Sequence, residues 1–181
     1  MVEFLTKEAE RLPLVRSLSE DPEWRHHDAY SSVPPSSREH RLTTGPLAGA
    51  RALGGFQRIF YNDGTGEFIS VVWLGGAITG WPGVVHGGVT ATLMDESLGR
   101  CAIKQFPGKS GVTANLELNY RKPIITNSFY VIRAMPLQED ASDSKQWASG
   151  RLETLDGRVC VEAKGLFVVP KDLNLKLSSS I

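Results

Sequence analysis

The apolar residues of this chain follow two spacings, an alternation typical of strands and one longer segment with helical spacing. Apolar and polar positions alternate along residues 112–121 and 158–169, which predicts two strands that each bury one face. One helix is predicted over residues 87–104, opened by Gly87-Gly88 and closed by Pro107-Gly108. Further strand-like runs, rich in β-branched and aromatic residues, cover residues 56–61, 67–74, 128–135 and 145–155.

The order of these segments favours an α+β fold. Two strands come first, then the helix, then four strands, and tight-turn signals such as Asp156-Gly157 join neighbouring strands. We therefore expect a mostly antiparallel sheet whose apolar face is covered by the single long helix. Residues 1–46 are assigned to an N-terminal arm of short helices and extended chain, 47–170 to the folded domain and 171–181 to a loose tail.

Composition and charge exclude several functional classes. The 181 residues are 41% hydrophobic and 22% charged, as in a soluble globular domain. Lys plus Arg and Asp plus Glu number 20 each, so no net charge attracts nucleic acid. No stretch approaches the roughly 20 apolar residues that cross a bilayer, and the early acids Glu3, Glu8 and Glu10 argue against a secretory or transit signal. Cys101 and Cys160 lie outside any metal or redox spacing and are interpreted as buried free thiols of a cytoplasmic or mitochondrial protein.

The predicted helix carries two neighbouring acids in different surroundings. The residues three, four and seven positions from Asp95 are small or apolar, so Asp95 is predicted on the face that the helix buries, without an obvious partner. Glu96 has Arg100 four residues on, which predicts a surface ion pair. Asp95 is therefore the candidate functional acid. The sequence contains no G-x-S-x-G elbow and no H-E-x-x-H pair, so we expect no metal and no cofactor.

Three short motifs resemble the hotdog-fold acyl-CoA thioesterases, of the type found in phenylacetate degradation and in eukaryotic mitochondria and cytosol. They are His86-Gly87-Gly88 followed by Asp95, the segment 111–116 (GVTANL) and the segment 120–123 (YRKP). The resemblance covers about residues 53–169, and the arm is similar to that of some eukaryotic members. It implies a hotdog fold, in which an antiparallel sheet of five to six strands wraps around one long central helix, with an N-terminal helical arm.

The same resemblance implies catalytic roles. Asp95 matches the family's catalytic acid, Gly87 matches its oxyanion donor, and Thr113 matches the hydroxyl that assists the water or the acid. His86 matches the motif histidine, which shapes the loop or binds the thioester carbonyl. Some members carry Asn or Gln six residues before that histidine, where this chain has Gly80, so a second polar oxyanion donor is missing or is replaced by His86.

Each of these residues also has a structural interpretation, and both remain open at this stage. His86 is equally consistent with a helix cap, Gly87-Gly88 with close helix packing, and Thr113 with an ordinary strand residue. The predicted substrate-binding residues are Gly88, Trp81, Arg121 and Lys122, the two cations being placed to pair with the phosphates of coenzyme A. An apolar tunnel for the acyl chain is predicted to use Phe56, Phe60 and Leu93 in addition to Trp81.

Helix geometry predicts that one chain does not complete the site. Gly87 and Asp95 are eight residues apart, which is about 12 Å along a helix at ~1.5 Å per residue. The attacking water and the oxyanion donor must both lie about 3 Å from one carbonyl carbon. A second, antiparallel copy of the helix would bring Asp95 of one subunit near Gly87 of the other, so we expect a homodimer or a dimer of dimers.

These features together predict an acyl-CoA thioesterase that converts an acyl-CoA to a free carboxylic acid and CoA. Asp95 would activate a water or attack the thioester itself through an anhydride, and the residues do not separate these routes. Two alternatives remain: a hotdog dehydratase or hydratase acting on an acyl thioester, and a non-catalytic acyl-CoA-binding protein.

Overall fold

The structure, a computed structural model, describes residues 1–170, and the predicted tail at 171–181 lies outside the described residues. The helices are α1 (Val2–Glu10), α2 (Pro13–Glu20), α3 (Pro35–Arg38) and α4 (Gly87–Ile103). The strands are β1 (Trp24–Asp28), β2 (Gln57–Asn62), β3 (Phe68–Leu74), β4 (Thr79–Trp81), β5 (Val84–Val85), β6 (Val112–Tyr120), β7 (Ser128–Ser142), β8 (Lys145–Thr154) and β9 (Val159–Val168).

Seven of these strands form one sheet that wraps around α4. The order across the sheet is β1-β2-β3-β7-β8-β9-β6, and every neighbouring pair is antiparallel. Helix α4 packs against β3, β6, β7, β8 and β9, while β4 and β5 form a separate hairpin just before it. The predicted α+β architecture, an antiparallel sheet around one long helix with helices at the N-terminus, is confirmed.

Strand β1 was not predicted from the sequence. Its residues belong to the arm, which was interpreted as turn-rich chain, and they pair with β2 from Trp24 opposite Asn62 to Asp28 opposite Arg58. Four of the five β1 residues are exposed, so the strand is held mainly by backbone hydrogen bonds that leave no apolar pattern. The arm therefore adds a seventh strand to the five or six that were expected.

Both faces of the sheet are covered on the β1 side of the molecule. One apolar core lies between the sheet and α4, and a second core lies between β2, β3 and the helices α1 and α2. Neighbouring residues of β2 alternate between them, with Ile59 and Tyr61 in the first core and Phe60 in the second. Leu93 is fully buried in the first core and Phe60 in the second, and their role in an acyl tunnel stays a prediction.

The state of the two cysteines agrees with the sequence analysis. Cys101 and Cys160 are buried and unpaired, as predicted. Within residues 1–170, no helix has both the length and the apolar character that crossing a bilayer requires.

Candidate active site

Helix α4 starts at an exposed loop, and its first turn is capped by a histidine. His86 has extended backbone angles (φ −61°, ψ 131°), and its Nδ1 accepts a hydrogen bond from the Gly88 N–H at 3.0 Å. An accepting Nδ1 leaves the proton of the neutral ring on Nε2. The ring also fills the space beside Gly80, where an added Cβ would lie 2.9 Å from Cδ2 of His86. A larger residue at position 80 is therefore incompatible with this histidine conformation.

The N–H of Gly87 is available as a hydrogen-bond donor. Gly87 is exposed and is the first helical residue, so its N–H has no acceptor within the helix. Across residues 1–170 no other group accepts a hydrogen bond from it. Its carbonyl oxygen accepts a hydrogen bond from the Tyr120 hydroxyl at 2.8 Å, which ties the helix start to β6. The positive end of the α4 dipole adds to the attraction that this N–H offers to an anionic oxygen.

Asp95 lies about two turns further along α4 and has a partner. Its Oδ1 accepts a hydrogen bond from the Thr113 hydroxyl at 2.8 Å, from the exposed face of β6. Asp95 itself is half-buried. Of the helix positions around it, Gly88 is exposed and Ala91 and Thr92 are half-buried, whereas Leu98, Gly99 and Ala102 are buried. The prediction of a buried Asp95 without a partner is therefore wrong, because the sheet covers only the C-terminal half of this helix face.

Asp95 and Thr113 open onto a cavity of ≈ 430 Å³, which we call the acid cavity. Its wall combines the acidic pair with apolar side chains from the arm, α4 and the sheet edge. These apolar side chains are Val33, Leu42, Ile103, Val112 and Phe167.

Gly87 opens onto a different cavity, of ≈ 310 Å³, that is also lined by Tyr120, Arg121 and Lys122. The Arg121 guanidinium forms an ion pair with Glu162 at 2.8 Å, and both side chains are half-exposed. Within one chain, then, the structure groups Asp95 with Thr113 and groups Gly87 with the two cations. It does not bring the two groups into one cavity.

Trp81 lies outside both groups. It is the last residue of β4, in the hairpin that precedes α4, and its side chain is 76% exposed. It lines neither the acid cavity nor the cavity at Gly87. Any contact between Trp81 and a substrate would therefore be made at the surface of this chain.

A cluster that joins the arm to α4 was missed by sequence analysis. Glu96 does not pair with Arg100 as predicted. Its Oε2 instead accepts a hydrogen bond from the Tyr30 hydroxyl, and its Oε1 accepts one from Thr43 at 2.9 Å. The Arg100 guanidinium lies over the Tyr30 ring, 4.8 Å from its centroid. We call these four residues the arm cluster.

The phenol of Tyr30 in the arm cluster stays protonated. Burial, and then the neighbouring Glu96 carboxylate, raise the pKa of Tyr30 well above its ordinary value. The phenol therefore remains a hydrogen-bond donor at any physiological pH. No sequence pattern predicts these contacts, because Tyr30 and Thr43 are separated from Glu96 by 66 and 53 residues.

Comparisons with known proteins agree with the fold. Residues 82–140, which include β5, α4 and β6, match the sequence profile of the Thioesterase superfamily. Among solved structures, the thioesterase superfamily protein RHA08564 superposes with a TM-score of 0.54 at 25% identity, covering 93% of this chain and 91% of its own. A Streptococcus mutans protein, smu.793, solved bound to acetyl CoA, has a TM-score of 0.53 at 19% identity over 59% and 82% of the two chains.

Relatives known by sequence include both uncharacterised proteins and a thioesterase. A Schizosaccharomyces pombe protein, C26H8.11c, is 35% identical over 55% of this chain and 58% of its own, and a mitochondrial protein of Candida albicans is 27% identical over 86% and 72%. Acyl-coenzyme A thioesterase THEM4 of Mus musculus is 34% identical over 64% of this chain and 49% of its own. The chain thus spans about half to three quarters of the length of these relatives. The resemblance to hotdog-fold thioesterases is confirmed.

Proposed function

We propose that this chain, whose residues 82–140 match the profile of the Thioesterase superfamily, hydrolyses acyl-CoA thioesters to a carboxylic acid and CoA. The observation that carries the proposal is the hydrogen bond from Thr113 to Asp95 at the edge of a partly apolar cavity. A carboxylate held in one orientation beside space for an acyl group can supply the base or the nucleophile of thioester hydrolysis. The similarity to THEM4 supports the same reaction.

Asp95 is the group that delivers the nucleophile in this proposal. In one route, Asp95 takes a proton from a water whose oxygen attacks the thioester carbonyl carbon; the C–S bond then breaks, and the departing CoA sulfur is protonated. In the other route, Asp95 attacks that carbon directly, the C–S bond breaks, and water hydrolyses the resulting anhydride. Thr113 serves both routes by holding the carboxylate in place.

The oxyanion donor in this proposal is the Gly87 N–H of a second subunit. Within one chain Gly87 and Asp95 open onto separate cavities, and they are about 12 Å apart along the helix. The helix face that would meet a second copy is formed by Gly88, Ala91 and Thr92, which are small and incompletely buried. Close antiparallel contact of two such helices would place each Asp95 beside the other subunit's Gly87.

The sheet supports self-association independently. Among residues 1–170, strand β6 ends the sheet, so one side of its nine-residue backbone has no strand partner there. Proteins rarely leave a long strand edge exposed to water, because its unpaired N–H and C=O groups can pair with another chain. Because Thr113 and Tyr120 lie on β6, pairing of two copies at this edge would also assemble the proposed site.

CoA binding is proposed for the cavity at Gly87. Lys122 and Arg121 provide positive charge beside the helix N-terminus, which suits the phosphates of CoA. Trp81 and Gly88 are exposed close in sequence to the start of α4, and we propose that they contact the same ligand. The acetyl CoA bound to the smu.793 protein supports this ligand class. We propose that residues 1–46 form the arm and residues 47–170 the thioesterase domain. The relative from Candida albicans is named as a mitochondrial protein, and we propose the same location for this chain.

The proposal is tested by incubating the purified protein with a panel of acyl-CoAs and measuring free thiol. Asp95→Asn keeps the size of the side chain but removes the charge, so kcat should fall about 10²- to 10⁴-fold, the range for loss of a general base. Asp143→Asn, an identical change at an exposed turn residue, serves as the control. Full thiol release by Asp95→Asn would refute the assignment.

The same incubation separates the alternatives. A dehydratase or hydratase would change the enoyl absorbance without releasing thiol. An acyl-CoA-binding protein would bind the ligand saturably and release no thiol on long incubation.

A further inference from the structure

A second cavity adjoins the acid cavity, and the arm cluster separates the two. This second cavity, of ≈ 370 Å³, lies between α1, the later part of the arm and residues 48–57, and we call it the arm cavity. Tyr30 and Thr43 line both cavities. The two spaces therefore meet at these side chains.

Tyr30 is fixed at this boundary by several contacts. Its hydroxyl is bound by Glu96, and its ring is covered by the Arg100 guanidinium. Thr43, the other shared residue, is only 4% exposed and is bound to the same carboxylate. The backbone of Tyr30 has φ +61°, a left-handed conformation that bulky residues rarely adopt. Such a conformation persists only where the surroundings determine it, and it often marks a functional position.

The wall of the arm cavity combines apolar and polar side chains. Its apolar side chains include Leu53, Phe56 and Ala48. Its two charged side chains already have partners, since Asp28 pairs with Arg58 at 2.9 Å and Arg38 donates to the Val33 carbonyl at 2.9 Å. The residues that line the arm cavity but not the acid cavity take no part in the proposed hydrolysis.

The acyl group must enter the acid cavity if Asp95 acts on the thioester. The carbonyl has to lie at Asp95, while the phosphates of CoA are expected at Lys122 of the other subunit, away from this cavity. The acyl chain would then lie against Gly99 and Phe167 of the acid cavity, whose arm side is lined by Tyr30. Tyr30 contacts α4 at Glu96 and Arg100, one and five residues after Asp95.

We propose that Tyr30 is a specificity-determining residue whose ring closes the acid cavity and so limits the length of the acyl chain that the site accepts. This inference rests on the proposed thioesterase function. The Arg100 guanidinium over the ring and the hydroxyl bond to Glu96 both hold the ring in place, and the first of these contacts does not need the hydroxyl. If the ring is removed, the acid cavity and the arm cavity become one space, and longer acyl chains fit.

The test compares kcat/KM across a series of saturated acyl-CoAs of increasing length. In the wild type, kcat/KM should rise with chain length and then fall. Tyr30→Ala should move the maximum to longer chains and raise kcat/KM for a chain beyond the wild-type maximum by about 10-fold or more, since each additional buried methylene is worth a factor of that order. Tyr30→Phe keeps the ring and should keep the wild-type order of chain lengths.

Two further variants keep the test decisive if Tyr30→Ala loosens the arm. Tyr30→Leu removes the ring but keeps apolar packing, and it should shift the maximum in the same direction. Adding Ala48→Phe to Tyr30→Ala fills the arm cavity and should shift the maximum back toward shorter chains. An unchanged chain-length profile in folded Tyr30→Ala and Tyr30→Leu would overturn this inference while the thioesterase function stands. Absence of turnover on every acyl-CoA by the wild type would overturn the function itself, and this inference with it.

Discussion

Replacement of Thr113 by valine tests whether the hydroxyl next to Asp95 takes part in catalysis. The change removes the hydrogen bond to Asp95 Oδ1, 2.8 Å long, and keeps the shape of the side chain. Hydrogen bonds to a charged group contribute about 1.5–3 kcal/mol, and each 1.36 kcal/mol corresponds to tenfold in rate. Because Thr113 is exposed and water competes for the carboxylate, we expect the lower end of that range, a fall in kcat of about 10-fold.

The assay is steady-state thiol release from the preferred acyl-CoA, with kcat and KM measured separately. KM should change little, because Thr113 orients Asp95 rather than binding the CoA. Thr113→Ser keeps the hydroxyl and should restore most of the rate. Thr113→Val should also cost no more than about twofold when added to Asp95→Asn, since the two residues act as one unit. A wild-type kcat in Thr113→Val, or fully additive losses in the double variant, would refute this reasoning.

Three further predictions concern packing, the buried thiol and CoA binding. Gly150→Ala should lower the free energy of unfolding by about 1–3 kcal/mol in urea denaturation, because its Cβ would lie 2.6 Å from the carbonyl oxygen of Arg133, whereas Gly108→Ala meets no atom within 4 Å and should be neutral. Burial raises the pKa of Cys101 from 9.0 to about 12, so the folded state favours the protonated thiol; its contribution to stability is complete below pH 9 and is lost as pH rises toward 12. The stability of Cys101→Ala should therefore fall less steeply than that of the wild type over this range, and equal slopes would contradict the assignment. Lys122→Ala should raise KM for acyl-CoA but not for an acyl thioester without phosphates, and an equal effect on both substrates would exclude a phosphate contact.

The elements that could be predicted are those whose side chains carry the pattern. The alternation along β9 and the Gly-Gly start of α4 give bounds within one or two residues of the structure. Strand β1 could not be predicted, because four of its five side chains are exposed and the strand is held by backbone hydrogen bonds to β2. A sequence pattern reports burial of side chains and contains no signal for a strand of that kind.

The candidate site divides in a similar way. The helix spacing and the family motif select Asp95, and the structure adds its hydrogen bond with Thr113. Helix spacing pairs Glu96 with Arg100, yet Glu96 binds Tyr30 and Thr43 of the arm instead. An exposed i,i+4 ion pair contributes only about 0.3–0.5 kcal/mol, so two hydrogen bonds from a partly buried surface outweigh it. Long-range contacts of this kind cannot be read from spacing.

The central claim is that two subunits share each site, and mixing two inactive variants tests it most directly. Asp95→Asn removes the acid. Gly87→Pro removes the N–H and suits the first helical position, because the preceding His86 already has the extended conformation that proline requires. Gly87→Ala keeps the N–H, and its Cβ would make an ordinary contact with Tyr120 at 3.6 Å, so it should retain more activity than Gly87→Pro.

The two variants are unfolded and refolded together in equal amounts, and thiol release is then measured. A mixed dimer holds one site with both an intact Asp95 and an intact Gly87, so random pairing should restore about a quarter of the wild-type rate. Thiol release no higher than that of the separate variants, with mixed dimers shown to form, would contradict the shared site.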